Sequence, residues 1–297
     1  MTSSAAAGER FLLLEQERAR ARRAALPRLA AGLAVAVVVL AGAMYGGEVR
    51  LATLARGIPD FLGYLRDTIP AIRLGSIVED LKSWQWGARA WLALLAKTAM
   101  MAIVSTSLGF AMALLLCFPA ARNLAPARWA CVLCRRLLEV ARTIPELVYA
   151  MIFVFAFGIG PFAGVLAITI HTVGALGKLF SEVNENLDAR HLEGITATGG
   201  GCLHVMRHGV APMVLPNFAS YGLLRLEINI RSATVMGFVG AGGIGQELML
   251  AIRQFQYADI SAIVVWILLM VAALDAGSSV VRRRLLRGTG SAAEVAA

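Results

Sequence analysis

The stretch WLALLAKTAMMAIVSTSLGFAMALLLC, residues 91–117, decides the fold class of this chain. It contains a single charged residue, Lys97, near one end, where a long aliphatic stem lets the ammonium reach water. A helix needs only about 20 apolar residues to cross the hydrocarbon core of a bilayer. The stretch therefore predicts a transmembrane helix.

Composition extends this interpretation to the whole chain. Of its 297 residues, 58% are hydrophobic and 16% are charged, against about 45–50% and about 25% in soluble proteins. The mean hydropathy is +0.70. The net charge of +9 is not arranged as a basic stripe with interleaved aromatic residues, so we expect no nucleic-acid partner. Basic residues that keep loops on the cytoplasmic side of the membrane explain the positive charge instead.

Apolar runs at six places predict six membrane-spanning helices: residues 29–46, 91–117, 137–157, 162–180, 214–239 and 260–281. The clusters of basic residues then fall on one side of the membrane, which places both termini in the cytoplasm. Residues 1–28 form a basic cytoplasmic segment, and residues 282–297 form a cytoplasmic tail. Residues 91–281 form the core.

Residues 47–90 have apolar positions at helical spacing with charges between them. This pattern predicts an amphipathic segment on the periplasmic membrane surface. Pro59 is expected to divide its helix into two pieces. Trp84, Trp86 and Trp91 are typical of an interfacial aromatic belt.

A glycine-rich string, GFVGAGGIGQEL at residues 237–248, contains the dinucleotide-binding pattern G-x-G-x-x-G at Gly240, Gly242 and Gly245. That pattern binds a dinucleotide only where it follows a strand, and here it follows a predicted membrane helix. We interpret these three glycines and Gly243 as periplasmic-end residues that allow a re-entrant turn to pack closely.

Metal or cofactor chemistry is not expected in this chain. Cys131 and Cys134 form a C-x-x-C with no second pair or nearby histidine, so we interpret them as helix-packing residues. His204 and His208 stand four residues apart but lack a nearby third ligand.

The hydrophilic segment at residues 188–211 is too long for a simple connector. Its pattern predicts two short helices, with glycines 199–201 ending the first, and Gly209 and Pro212 ending the second. We interpret it as a cytoplasmic docking surface. The alternative is an ordinary amphipathic loop.

Within this loop, Glu193, Gly199 six residues later and Pro212 thirteen beyond resemble the "EAA" signature of ABC-importer permeases, E-A-A-x3-G-x9-I-x-L-P. In that family the loop is the coupling helix, which inserts into a groove on the ATPase subunit. The resemblance assigns coupling to Glu193, Gly199 and Pro212, with Leu192 and Ile195 on the helix face.

The match to the signature is incomplete. Gly194 and Ile195 replace its two alanines, Gly209 its apolar residue and Ala211 its leucine. Three further stretches, residues 115–126, 142–150 and 221–248, are similar to the phosphonate-type permease branch of the MetI-like superfamily. The likeness spans residues 90–281.

The resemblance implies an all-α protein of about six transmembrane helices with the MetI-like permease fold, in a bacterial inner membrane. Its implied partners are a second copy of the chain, two ABC ATPase subunits inside, a periplasmic or surface solute-binding protein outside, and a small phosphorus oxyanion (phosphonate, phosphite or phosphate). The chain has no G-x-x-x-x-G-K-[ST] motif, so we expect it to be a transport subunit without enzymatic activity, with ATP and magnesium bound by its partners.

Charges inside the spans are costly and usually face a cavity or a partner. Arg225 and Arg231 lie in the fifth span, with Ser232 and Thr234 adding hydroxyl groups. They are candidates to line an anion path. The alternative is a structural network, in which Glu227 pairs with Arg231 four residues on.

Arg142 and Glu146, also four residues apart, are candidates for a structural ion pair at the start of the third span.

Other transporter and enzyme classes remain as alternatives. A secondary transporter would need paired carboxylates or broken helices at mid-membrane, usually with internal repeats, and the span pattern does not repeat. An intramembrane enzyme lacks candidate motifs such as G-x-S-x-G or H-E-x-x-H. An ABC permease for another small solute, such as an amino acid, would have the same architecture.

Overall fold

The computed structural model describes residues 27–70, 75–187, 193–194, 196–197, 199, 201 and 204–294. All regular elements among them are helical, which confirms the all-α prediction. The chain forms two compact units, residues 1–66 and 67–297.

The first unit contains α1 (Pro27–Gly46) and most of α2 (Leu51–Thr68). α1 is apolar and long enough to cross a membrane. Pro59 lies inside α2, so the prediction that it divides this helix is wrong. A proline removes a single backbone donor, and the helical turns before and after Pro59 keep this helix continuous.

The second unit holds the remaining elements. They are α3 (Ile77–Trp84), α4 (Ala88–Ala120), α5 (Arg128–Thr143), α6 (Glu146–Phe157), α7 (Pro161–Glu185), a π-helical turn (Val205–Val210), α8 (Ala211–Met236), a 3-10 turn (Gly237–Val239), α9 (Ile244–Arg253) and α10 (Tyr257–Glu294).

In the described part of the chain, four helices, α1, α4, α7 and α10, are individually long and apolar enough to span a membrane. Two bent pairs bring the number of candidate spans to six: α5 with α6, bent by 88°, and the Val205–Val239 helix with α9, bent by 45°. The span predicted over residues 137–157 is thus a bent pair of helices in the structure. Pro145 disfavours helical geometry at Ile144, whose ψ of 124° is extended.

The core of the second unit forms where α4 and α5 pack along α7 through small residues. A Cβ added to Gly109 on α4 would lie 2.6 Å from the Thr172 side chain on α7. A Cβ added to Gly174 would lie 2.5 Å from the backbone nitrogen of Arg142 on α5. Small residues let helix backbones approach closely in a membrane, where dispersion rather than hydrophobicity holds helices together.

The helix that leads into α8 is continuous from Val205. The prediction that Gly209 and Pro212 end a separate short helix is therefore wrong. Pro212 occupies the first turn of α8, where a missing N–H is tolerated. The preceding turn widens to π-helical geometry and joins directly to it.

The glycine string forms the tight turn between α8 and α9. Gly240, Gly242 and Gly243 have φ values of 85°, 84° and 79°, which favour glycine. A Cβ on Gly245 would collide with the Thr234 carbonyl. The first N–H of α9, at Ile244, is bound by the Thr98 hydroxyl at 2.9 Å. Because a helix precedes these glycines, they do not form a strand-to-helix dinucleotide site.

Candidate functional site

A cavity of about 480 Å³ lies beside the break between α5 and α6. Polar side chains from three helices, α6, α7 and α8, reach it. Its lining consists of Pro145, Glu146, Leu147, His171, Arg231, Ser232, Val235 and Met236. The proline that interrupts the third predicted span therefore places a carboxylate, Glu146, at the start of a new helix and beside this cavity.

The site lies near the middle of its helices. His171 is about 15 Å along α7 from Pro161, and Arg225 is about 16 Å along α8 from Met236, at 1.5 Å per residue. The hydrocarbon layer is about 30 Å thick. Both side chains therefore sit near mid-depth, where an ionisable group marks a functional site by default.

Arg225 is held on two sides by α7. Its Nη2 donates to Nδ1 of His171 at 2.8 Å, and its Nε lies 3.4 Å from the Thr172 hydroxyl. Its side chain is 12% exposed, and Nη2 lies 3.9 Å from Oε2 of Glu146. The guanidinium is thus fixed by neutral partners, with one carboxylate just beyond hydrogen-bond distance.

The contacts of His171 determine which of its nitrogens carries the proton. An arginine N–H only donates, so Nδ1 of His171 accepts and is unprotonated. Nε2 then donates to the Arg142 carbonyl at 3.2 Å, near the end of α5, where helical carbonyls lack partners. Sequence reasoning missed His171. The available signal was a lone imidazole in the middle of an apolar run.

Glu146 has one satisfied and one unsatisfied carboxylate oxygen. Oε1 accepts from the Ser232 hydroxyl. Oε2 is buried, and no donor from the described part of the chain binds it. It lies 3.6 Å from Nδ1 of His171, but that nitrogen already accepts from Arg225 and has no proton to donate.

The predicted ion pair between Arg142 and Glu146 is wrong. The 88° bend places the two residues on different helix axes, so spacing along one helix no longer applies. Arg142 contributes its backbone carbonyl to His171 instead, and among the described residues its side chain forms no ion pair.

Glu227 and Arg231 do pair on α8, with 3.0 Å between Oε1 and Nη2. The Arg231 side chain is 53% exposed and lines the cavity. Thr234 lies apart from this group, because its hydroxyl donates to the Ile230 carbonyl of its own helix at 3.2 Å. Of the four predicted path residues, Arg231 and Ser232 line the cavity. Arg225 contacts His171, which also lines it.

A fully buried amide completes the framework around Arg225. Nδ2 of Asn229 donates to the hydroxyls of Thr106 at 2.8 Å and Thr172 at 2.9 Å. Asn229 thereby joins α8 to α4 and α7. These three residues could not be predicted from the sequence, because a single polar side chain in an apolar run has no spacing pattern that identifies its partners.

The loop resembling a coupling helix is described only in part. Glu193 and Gly194 are helical, and the Glu193 carbonyl accepts from the Thr196 hydroxyl at 2.8 Å. Gly199 has a φ of 80°, and its N–H binds the Thr196 carbonyl at 3.0 Å. Leu192 and Ile195 lie outside the described residues.

The base of α7, just before this loop, is fixed by an ion pair between Arg135 and Glu185. Glu185 also accepts from the backbone N–H of Arg122 at 2.7 Å, and Nε of Arg135 donates to the Ala120 carbonyl at 2.9 Å. These contacts hold the C-terminal ends of α4 and α7 against the middle of α5.

Two relatives share extensive sequence with this chain. The phosphite transport system permease protein of Stutzerimonas stutzeri is 39% identical over 246 residues, which cover 83% of this chain and 85% of the relative. The phosphate-import permease protein of Mycolicibacterium smegmatis is 37% identical over 190 residues, which cover 64% of this chain and 36% of the relative.

Among solved structures, the methionine ABC transporter MetNI in an inward-facing conformation has the same fold. The TM-score is 0.56 at 18% identity, over 66% of this chain and 95% of the other. Residues 113–290 match the family model for the binding-protein-dependent transport system inner membrane component. The chain therefore belongs to this family and is a multi-pass membrane permease subunit of an ABC transporter.

Proposed function

We propose that this chain forms the membrane path of an importer for a phosphorus oxyanion, namely phosphite, phosphonate or phosphate. The observation that carries the proposal is Arg225, an arginine near mid-depth whose side chain is 12% exposed, next to a cavity that Arg231 and Ser232 line. Guanidinium donors match the oxygens of such an anion. The names of the two relatives support the same substrate class.

The charges of the site's own side chains are balanced. Glu146 lies beside Arg225, and Glu227 pairs with Arg231. Such compensation lowers the cost of holding guanidinium groups inside a bilayer. Arg231 remains half exposed, so part of its planar fork is free to meet an incoming anion.

A second copy of the chain completes the path. Exposed side chains recur every three or four residues along one face of α8 and the 3-10 turn that follows it: Leu224, Ile228, Arg231, Val235 and Phe238. A stripe of this kind with an arginine at its centre is costly against lipid. A second copy would cover the apolar positions and enclose the cavity beside Arg231.

Two ATPase subunits on the cytoplasmic side and an external solute-binding protein would complete the importer, with ATP and magnesium bound by the ATPase subunits and none in this chain. Both termini would lie in the cytoplasm of a bacterial cell. ATP binding would close the ATPase pair, and the loops around Glu193 would transmit that motion to the spans. The path would then open outward to receive the anion.

Reconstitution with candidate ATPase subunits tests this function. The complex in proteoliposomes would be assayed for ATP hydrolysis and uptake, with solute-binding proteins loaded in turn with phosphite, a phosphonate, phosphate or an amino acid. We expect stimulation by one phosphorus oxyanion and its loaded binding protein.

Stimulation by the amino acid alone would replace the proposed substrate class. Uptake that persists with catalytically inactive ATPase subunits would contradict ATP-driven import.

A further inference from the structure

We propose that the Glu146 carboxylate accepts a hydrogen bond from the transported anion itself, so that the site selects a tetrahedral oxyanion carrying a P–OH group. This inference rests on the proposed function, because it specifies the ligand of the same site. Glu146 is then a specificity-determining residue as well as a neighbour of Arg225.

The unsatisfied oxygen is the starting observation. Oε2 of Glu146 is buried without a donor, while Oε1 of the same carboxylate accepts from Ser232. A buried acceptor without a partner is unfavourable, and in native proteins it points to a missing ligand or water. Glu146 lines the adjoining cavity, but Oε2 itself exposes less than 1 Å². A ligand there supplies the missing donor when movement of the helices during transport uncovers this oxygen.

The protein groups around Oε2 do not complete its hydrogen bonding. Nδ1 of His171, at 3.6 Å, has its lone pair engaged by Arg225. Nη2 of Arg225, at 3.9 Å, is outside hydrogen-bond range and is aimed at His171. Arg231 reaches the same cavity but pairs with Glu227.

Together these groups fit an anion that has acceptor oxygens and also one hydroxyl. Arg231 offers N–H donors to the anionic oxygens, the Ser232 hydroxyl holds the Glu146 carboxylate through Oε1, and Oε2 offers an acceptor to the P–OH. Hydrogen phosphate and the monoanions of phosphite and of phosphonates have this combination. Sulfate has only acceptors at neutral pH, so its oxygen would face Oε2 with no proton between them.

Such a site can discriminate strongly between phosphate and sulfate. A site built to hydrogen-bond a hydroxyl rejects an analogue that lacks it, because the buried polar group is left unpaired. Two adjacent negative oxygens also repel one another at low dielectric. A role for Glu146 limited to balancing the charge of Arg225 predicts no such preference between phosphate and sulfate.

The test measures anion binding to the permease–ATPase complex in nanodiscs, without the solute-binding protein. Radiolabelled inorganic phosphate would be displaced by unlabelled phosphate or by unlabelled sulfate. We expect the wild type to favour phosphate by about tenfold or more. Glu146→Gln replaces the acceptor by an amide that also donates, and should bring the ratio close to one.

Two matched variants separate selectivity from general damage. Glu182→Gln removes a carboxylate from α7 whose ion-pair partner among the described residues is Lys178, and should leave the phosphate-to-sulfate ratio unchanged. Arg231→Ala removes a donor that lines the cavity and leaves both Glu146 oxygens with their own contacts, so it should weaken the binding of both anions while preserving their ratio.

The outcomes of the two proposals are distinguishable. If the wild-type importer takes up no phosphorus oxyanion with any loaded binding protein, the proposed function fails. If uptake occurs but Glu146→Gln retains the wild-type ratio, or the wild-type complex binds neither anion, this inference alone is overturned.

A second measurement covers the case in which Glu146→Gln does not assemble. Wild-type affinity for phosphite, relative to phosphate, should fall as pH rises, because the phosphite dianion has lost its P–OH while the phosphate dianion keeps one. His171, Arg225, Arg231 and Glu146 face both anions equally, so their own titration cancels in the ratio. A constant ratio would overturn the inference.

Discussion

At the scale of single residues, the two arginines of α8 have different surroundings. Arg225 is nearly buried and donates to His171, close to the unsatisfied oxygen of Glu146. Arg231 is half exposed and pairs with Glu227 within its own helix. The two glutamates have the same side-chain exposure, 22%, so the difference lies in the arginines. Removing Arg225 takes a nearly buried cation and its contacts to α7 out of the helix packing, whereas removing Arg231 breaks one contact within α8.

The substitution Arg231→Ala should lower oxyanion uptake about tenfold while the complex remains assembled, since a charge-assisted contact to the anion contributes about 1.5–3 kcal/mol. Arg225→Ala should instead lower the recovery of assembled complex, because breaking a buried pair costs about 3–5 kcal/mol. Uptake in proteoliposomes and size-exclusion chromatography measure the two effects.

Arg253→Ala, on the exposed face of α9, is the matched control and should change neither quantity. Dissociation of the complex in Arg231→Ala would assign that arginine a structural role.

At the scale of elements, the turn between α8 and α9 depends on glycine at positions where backbone meets backbone. The space beside Gly245 is filled by the Thr234 carbonyl, and the space beside Gly237 by the backbone of Gln246. No side-chain rearrangement creates room there, because neither neighbour is the end of a flexible chain. The 45° bend therefore has a local steric cause.

Gly245→Ala should separate the end of α8 from α9 and destabilise the protein by about 1–3 kcal/mol, the usual cost of overpacking. Thermal unfolding in detergent, followed by intrinsic fluorescence, measures this change. Gly277→Ala on α10 has open space for its Cβ and should instead stabilise the helix by about 0.5–1 kcal/mol. Equal unfolding temperatures for the two variants would contradict the steric explanation.

At the scale of the whole molecule, the segment around Glu193 and the cavity around Glu146 stand at separate places along the chain. The continuous helix from Val205 through α8 begins twelve residues after Glu193 and carries Ser232, which lines this cavity. A rigid helix transmits a displacement at one end to the side chains along its length. Motion at the loop would therefore reach Arg225, Arg231 and Ser232.

Glu193→Lys should weaken docking of the ATPase subunits and reduce uptake about tenfold, because reversing an interface charge opposes like charges. Co-purification of the ATPase subunits and coupled uptake test this expectation. Glu247→Lys reverses a charge on α9, beyond the other end of α8, and should leave co-purification intact. Unchanged assembly and uptake in Glu193→Lys would show that the loop is not the docking surface.

The fold class, the candidate spans and the possible pairing of Glu227 with Arg231 could be predicted from the sequence alone. These features depend on local properties: the apolarity of about 20 consecutive residues and the four-residue spacing of one helix. The close packing of the glycine string was also predictable, because Gly240 and Gly242 need backbone angles that other residues avoid.

Which side chains meet at the candidate site depends on the tertiary structure. Pro145 was visible in the sequence, but the 88° bend that turns Glu146 away from Arg142 and towards Ser232 was not. His171 and Asn229 acquire their roles from helices more than 25 residues away in the chain. Partners of this kind are set by how helices pack against one another, and hydropathy and spacing along a single helix do not contain that information.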